Sequence, residues 1–67
     1  MNVPEKRIEA IINILPSLNA PTVAGLYNSN WVSVETVVDI KTVRDLIPKL
    51  LQAGAEGIIE YPLNKVV

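Results

Sequence analysis

Apolar residues recur at helical spacing near the start of the chain, in the stretch 4–15. They fall at positions i, i+3, i+4 and i+7, which places them on one side of a helix. Pro4 suits the first helical position, where its missing N–H would have no partner within the helix. Pro16 disfavours helical backbone angles at the residue before it, so the predicted helix ends at Leu15. The apolar stripe consists of Ile8, Ile11, Ile12 and Leu15.

The same spacing returns later in the chain and predicts a second helix, from Ile40 to Ala53. Asp39 is available as its N-cap, and Gly54 follows as the expected left-handed terminator. Pro48 lies inside this helix and removes one internal hydrogen bond, so we expect a kink near Arg44. The stripe of the second helix consists of Val43, Leu46, Ile47, Leu50 and Leu51.

Strict alternation of side chains, typical of a strand, is clearest in "WVSVETVV", residues 31–38. A weaker strand is predicted over 22–27, and the Asn-Ser-Asn turn at 28–30 joins the two into a hairpin. A last short strand is predicted over 57–63, where Pro62 suits a strand terminus or a sheet edge. The two faces of 31–38 carry Val32, Val34, Thr36 and Val38 on one side and Trp31, Ser33, Glu35 and Val37 on the other.

The predicted order of elements is helix, strand, strand, helix, strand. If residues 1–3 are the stub of a further strand, the order becomes βαββαβ, a ferredoxin-like α+β sandwich with both helices on one face of an antiparallel sheet. In that topology the first strand lies inside the sheet, and three residues are too few to fill the slot. Unpaired N–H and C=O groups in such a slot invite another strand. We therefore expect a dimer or a larger assembly.

The amino-acid composition narrows the range of functions that the chain can perform. The chain has 67 residues, which is one domain at most, with 49% hydrophobic residues, neither cysteine nor histidine, and a net charge of −1. The usual base at neutral pH and the usual thiol nucleophile are therefore both missing. Dispersed charges argue against a nucleic-acid partner, and the apolar runs are too short to span a bilayer. We expect a cytoplasmic domain, 1–67, that performs no catalysis by itself and binds neither nucleic acid nor membrane.

Few side chains are candidates for a binding site. The sequence contains no phosphate-binding glycine loop and no hydrolase motif. Glu56 and Glu60 share a face of the last predicted strand, where a solvated sheet edge explains them. Asn2, Thr22 and Trp31 remain, and each has a structural alternative. These alternatives are a helix cap, a hydroxyl group bonded within a turn, and a packed edge aromatic respectively.

Six fragments occur in one order and at tight spacing: "NVP", "LP-x-L-x-x-PT", "WVSVETVV", "DLIPKL", "AGAEGI" and "YPLNKVV". Together they resemble the C-terminal regulatory domain of the long form of ATP phosphoribosyltransferase, over nearly the whole chain. The resemblance implies a ferredoxin-like fold that binds L-histidine as feedback inhibitor at a site between subunits. It also implies that the catalytic domains of the parent enzyme are absent here. No cofactor is expected in this domain, and magnesium is expected only in those catalytic domains.

The resemblance also implies which residues contact L-histidine. Asn2 would face the imidazole, and Thr22 matches a threonine that follows a proline in the family. Ala20 departs from the family, which usually has serine there, so one possible hydroxyl contact is missing. The implied contacts are Asn2, Leu18, Ala20, Thr22 and Gly57.

The loop 16–22 fits such a site because prolines stand near both of its ends, at Pro16 and Pro21. A stiff loop holds its carbonyl and N–H groups in place before the ligand arrives, which lowers the ordering cost of binding. Free histidine carries an ammonium, a carboxylate and an imidazole, each of which needs a hydrogen-bond partner when buried.

Two functions of different classes remain open. The first is an allosteric regulatory domain that senses L-histidine. The alternative is a small ferredoxin-like oligomerisation module, or a sensor of another small metabolite, because fold alone does not fix function. A histidine-dependent change in sedimentation separates the first from a purely structural module.

Overall fold

A computed structural model of the protein describes residues 1–16 and 20–62. It contains a three-stranded antiparallel sheet and two helices, which confirms the predicted α+β, ferredoxin-like class. The elements are β1 (Asn2–Pro4), a 3-10 turn (Glu5–Arg7), α1 (Ile8–Ile14), β2 (Thr22–Gly25), β3 (Trp31–Glu35) and α2 (Ile40–Gln52).

The strands are ordered β1-β3-β2, so β3 is central among the three. Asn2 pairs with Ser33 of β3 on one side and forms a bridge with Glu56 on the other. The short first strand therefore lies inside the sheet, as its predicted position required. The bridge at Glu56 stands where the fourth strand of a ferredoxin-like sheet belongs.

The predicted strand over 57–63 is wrong for its described part, 57–62, which has no regular structure. Gly57 has a φ of +59°, a left-handed angle that turns the chain away from extended geometry directly after the bridge. Ile58 packs against the core, but Ile59 is 78% exposed, so burial holds this segment at one residue and does not extend along it. The fourth strand is thereby reduced to a single residue pair.

The predicted hairpin strands are confirmed but shorter than expected. Pairing of β2 stops at Thr22, because the preceding Pro21 has no N–H to donate to a ladder. Glu35 is the residue opposite Thr22, so β3 ends there and not at Val38. In the turn, Asn28 takes a left-handed φ of +52°, a conformation that asparagine tolerates.

The first helix begins later than predicted. Pro4 pairs with Trp31 and has an extended ψ of 135°, so it ends β1 and does not take the first helical position. A 3-10 turn follows before α1 begins at Ile8. The end is as predicted, because Leu15, before Pro16, has a ψ of 141°.

The second helix follows its sequence signals closely. The side chain of Asp39 accepts a 3.2 Å hydrogen bond from the N–H of Lys41, which confirms the predicted cap. At the other end Gly54 has a φ of +108°. The N–H of Gly54 donates to the carbonyl of Leu51, and that of Ala55 donates to the carbonyl of Leu50. This pair of bonds is the Schellman arrangement that glycine makes possible.

Pro48 lies exposed inside α2, which continues through it to Gln52. Proline has no N–H for the carbonyl of Arg44. The kink near Arg44 stays a prediction.

One hydrophobic core lies between the sheet and the two helices. Alternation along the strands turns one set of valines toward the helices, where they meet the apolar stripes of both. Ile11 is fully buried, whereas its neighbour Ile12 is 39% exposed, so the first stripe is narrower than predicted. The core consists of Val3, Ile11, Leu15, Val32, Val34, Leu46, Leu50 and Ala55.

Candidate functional site

The sheet has an open face, which is the side turned away from the two helices. Residues paired across an antiparallel ladder share a face, so the register assigns each side chain. Because the core valines point to the helices, their neighbours along each strand point to the open face. The open face carries Asn2, Pro4, Thr22, Ala24, Trp31, Ser33, Glu35 and Glu56.

Three residues meet at one side of this face, and we call them the Asn2 cluster: Asn2, Glu56 and Gly57. Asn2 and Glu56 exchange two backbone hydrogen bonds of 2.8 Å each. The side-chain nitrogen Nδ2 of Asn2 lies 3.8 Å from the position a Cβ atom would take on Gly57. Two of the predicted histidine contacts, Asn2 and Gly57, are therefore neighbours in space, although they lie near opposite ends of the chain.

The Thr22 cluster, on the other side of β3, consists of Ala20, Thr22 and Glu35. Thr22 and Glu35 are directly paired between β2 and β3, which places their Cβ atoms about 5 Å apart. Ala20 is exposed and precedes Thr22 by two residues. Two further predicted contacts thus lie together, beside a carboxylate that the sequence did not single out.

The two clusters lie on the same face of the sheet, and we call them candidate half-sites. Asn2 and Thr22 are separated by two strand spacings and two residues along the strands, which amounts to roughly 12 Å between their backbones. A ligand that contacts both either lies across β3 or joins the Asn2 cluster of one copy to the Thr22 cluster of another. The predicted contact Leu18 lies outside the described residues, as do its two neighbours between Pro16 and Ala20.

The structural alternatives for the candidate residues are partly resolved. Asn2 does not cap a helix: it belongs to β1, and neither the 3-10 turn nor α1 has a side-chain cap. Within the described residues the hydroxyl group of Thr22 has no hydrogen bond. Trp31 is half-buried at the start of β3, where it pairs with Pro4, which agrees with a packed edge aromatic.

Sequence inspection missed the contact between Tyr61 and Glu35. The Tyr61 hydroxyl donates a 2.8 Å hydrogen bond to Oε1 of Glu35, across 26 positions of the chain. This hydrogen bond, followed by the negative charge of the same carboxylate and a small desolvation, raises the pKa of Tyr61 above its ordinary 10.0. Each residue lies in a fragment that carries the family resemblance, but no local pattern points to a contact between positions so far apart in the chain.

Other surface features lie away from the two clusters. One concavity is lined by Pro4, Glu5, Lys6, Asn30 and Trp31. Over residues 1–16 and 20–62, no group of three or more acidic side chains is close enough together to hold a metal ion. Across the same residues, neither helix has the length and apolar character needed to cross a membrane.

These features define a class of protein: a small α+β domain of ferredoxin-like topology whose open sheet face carries polar side chains. Residues 1–65 match the family described as "HisG, C-terminal domain". The chain therefore belongs to the family of HisG C-terminal domains.

Several relatives bear the name ATP phosphoribosyltransferase. The protein from Desulfosudis oleivorans is 70% identical over all 67 residues, that from Desulfatibacillum aliphaticivorans 67%, and that from Geotalea uraniireducens 60%. In each comparison the chain is covered completely but spans only 23% of the relative's length. The similarity thus concerns one domain of those enzymes.

Proposed function

We propose that this chain is the allosteric regulatory domain of an ATP phosphoribosyltransferase, the enzyme of the first step of histidine biosynthesis, and that it binds L-histidine as feedback inhibitor. It acts together with the catalytic domains of that cytoplasmic enzyme, and magnesium belongs to those domains. Family membership and the names of the relatives support the enzyme. The histidine site rests on the open face of the sheet.

One observation carries the proposal: Asn2 and Thr22, two of the expected contacts, project from the same open face of the sheet. The amide of Asn2 both donates and accepts, so it suits either ring nitrogen of an imidazole. The hydroxyl group of Thr22 is an acceptor for the ammonium, and the backbone N–H of Ala20 suits the carboxylate. The positive φ of Gly57 lets the backbone pass close to the amide of Asn2.

The position of the Thr22 cluster favours a site between two copies of the chain. Thr22 itself lies on β2, which is an edge strand within the described sheet. An edge strand presents unpaired N–H and C=O groups that another strand can meet. In such an assembly the Thr22 cluster of one copy closes the ligand site against the Asn2 cluster of the next, and the protein is a homo-oligomer.

Inhibition then follows from linkage between assembly and binding. A ligand shared by two copies binds the assembled state more tightly than the separate chains, so it shifts the population toward that state. In the parent enzyme the favoured arrangement is the compact, less active one. The regulatory domain needs no chemistry of its own for this effect.

Titration calorimetry of the 67-residue chain with L-histidine tests the proposal, with D-histidine and histidinol as controls. We expect saturable heat with L-histidine and weaker binding of both controls, since one has the wrong hand and the other lacks the carboxylate. No heat at millimolar L-histidine would contradict histidine sensing by this chain.

Sedimentation with and without L-histidine tests whether the ligand site lies between two copies of the chain. A ligand-dependent increase in assembly size is expected. An assembly that is unaffected by histidine would instead favour the purely structural alternative, a domain that only holds subunits together.

A further inference from the structure

The Thr22 cluster contains a group with no role in the site proposed above. Glu35 is the direct cross-strand neighbour of Thr22, it lies on the same face, and its side chain is exposed. A free amino acid brings an ammonium that needs an acceptor, and a carboxylate is the strongest acceptor available among side chains. A hydroxyl group such as that of Thr22 supplies only a neutral acceptor.

Tyr61 already occupies one oxygen of this carboxylate. Its hydroxyl group donates to Oε1 of Glu35 at 2.8 Å, and no other described hydrogen bond reaches that side chain. The pKa of Tyr61 is raised mainly by this bond and next by the charge of Glu35, so the phenol remains a donor at neutral pH. Both side chains are exposed, and a ligand can therefore displace the phenol without opening the core.

The segment 57–61, which places Tyr61 next to Glu35, starts in the Asn2 cluster. It leaves the sheet at Gly57, in the Asn2 cluster, and ends against Glu35, in the Thr22 cluster. A ligand that takes over Glu35 therefore releases one end of the segment whose other end lines the Asn2 cluster. Binding at one half-site is thereby coupled to the backbone of the other.

We propose that Glu35 is a second acceptor for the ligand ammonium, beside Thr22, and determines specificity for amino acids, and that Tyr61 competes with the ligand for it. This inference rests on the proposed function and adds a residue and a competitor to the same site. It predicts that removing the charge of Glu35 weakens binding, whereas removing the hydroxyl group of Tyr61 strengthens it.

Calorimetry on four chains provides the test: the wild type and the variants Glu35→Gln, Tyr61→Phe and Glu9→Gln. Glu9 is the matched control, because it is an exposed carboxylate on α1, outside both clusters. We expect Glu35→Gln to weaken L-histidine binding about tenfold or more, as loss of a charge-assisted hydrogen bond does. Glu9→Gln should leave the affinity within about twofold, since it removes one surface charge but no contact with the ligand. Tyr61→Phe should raise affinity.

A ligand without the ammonium, 3-(imidazol-4-yl)propionate, isolates the contact. Its affinity should not fall in Glu35→Gln, because the lost bond is absent with this ligand from the start. The Glu35→Gln change, repeated in the Tyr61→Phe background, should still weaken the binding of L-histidine. This result would exclude an indirect effect through Tyr61.

Three outcomes would overturn the inference. They are wild-type affinity for L-histidine in Glu35→Gln, an equal loss of affinity in Glu9→Gln, and weaker binding in Tyr61→Phe. Each would leave histidine sensing intact, provided that the wild-type chain binds. A wild-type chain that binds no histidine would instead overturn the proposed function and this inference with it.

Discussion

Asn2 and Glu56 hold each other by two backbone hydrogen bonds of 2.8 Å, one in each direction. This pairing joins the first strand to the residue just past α2, while Asn2 also pairs with Ser33 of the central strand. The side chain of Asn2 is thereby fixed on the open face beside Gly57. The bridge that completes the fold also builds one half of the proposed site.

Two consecutive isoleucines on α1 test the core. Ile11→Ala should lower the free energy of unfolding by about 2–5 kcal/mol, because the side chain is fully buried and leaves a cavity. Ile12→Ala should lower the free energy of unfolding clearly less, since Ile12 is 39% exposed. For a domain of this size, with roughly 3–10 kcal/mol in total, the first change is severe. Urea denaturation measures both, and equal losses would contradict the assigned helix face.

The end of α2 depends on Gly54. A Gly54→Ala variant should lose about 1–2 kcal/mol, because a φ of +108° strains a residue that has a Cβ atom. The strain is conformational, since the nearest atom to that Cβ, the Cγ of Arg7, lies at 3.5 Å.

Gly25→Ala is the control, because nothing lies within 4 Å of its Cβ position. We expect this change to be neutral or slightly stabilising. Thermal unfolding of both variants checks the contrast, and a harmless Gly54→Ala would disprove the role of the Schellman arrangement.

The start of α2 depends on Asp39. Asp39→Ala should cost about 1 kcal/mol, because the N–H of Lys41 then loses its side-chain acceptor. Asp39→Asn should retain most of the stability, since asparagine caps as well. Asp45→Ala, at an exposed position within the same helix, should change stability little. Loss of stability in Asp45→Ala as large as in Asp39→Ala would indicate a general charge effect.

Alkaline pH should break the contact between Tyr61 and Glu35. The pKa of Tyr61 is raised in the folded state above 10.0, so the contact stabilises fully below pH 10.0 and is lost as the pH rises through the folded-state pKa. Tyr27 is the second tyrosine of the chain, and a Tyr27→Phe background leaves Tyr61 as the sole phenol. In that background, ultraviolet absorbance follows the Tyr61 phenolate directly.

Replacing the partner supplies the control for this titration. Glu35→Ala removes both the hydrogen bond and the charge that raise the pKa of Tyr61, so the titration should shift to lower pH. An unchanged midpoint would show that Tyr61 does not contact Glu35 in solution.

The two half-sites make separate predictions for histidine binding. Asn2→Ala and Thr22→Val should each weaken the binding of L-histidine about tenfold, because each removes a hydrogen-bond partner of a polar ligand. Thr22→Ser keeps the hydroxyl group and should bind nearly as well as the wild type. Asn13→Ala, exposed on α1 away from the open face, should leave the affinity unchanged. Calorimetry with intact affinity in both site variants would place the ligand elsewhere.

Local signals in the sequence determined the helices and the hairpin. Asp39 and Gly54 act on N–H and C=O groups a few residues away, and both perform the predicted role. Alternation in 31–35 likewise fixed which residues face the core, because adjacent side chains of a strand point to opposite faces. The family resemblance, confirmed by the match over 1–65, rested on such short fragments in order.

Tertiary structure alone decided the rest. The apolar stretch after Glu56 was predicted as a strand, yet strand formation needs a partner along its length, and the left-handed Gly57 ends the pairing after one residue. The neighbourhood of Asn2 and Gly57, and the bond from Tyr61 to Glu35, join residues far apart in the chain. The sequence therefore determined the parts that depend on neighbouring residues. Only the folded sheet, which sets pairing and register, decided which side chains share a site.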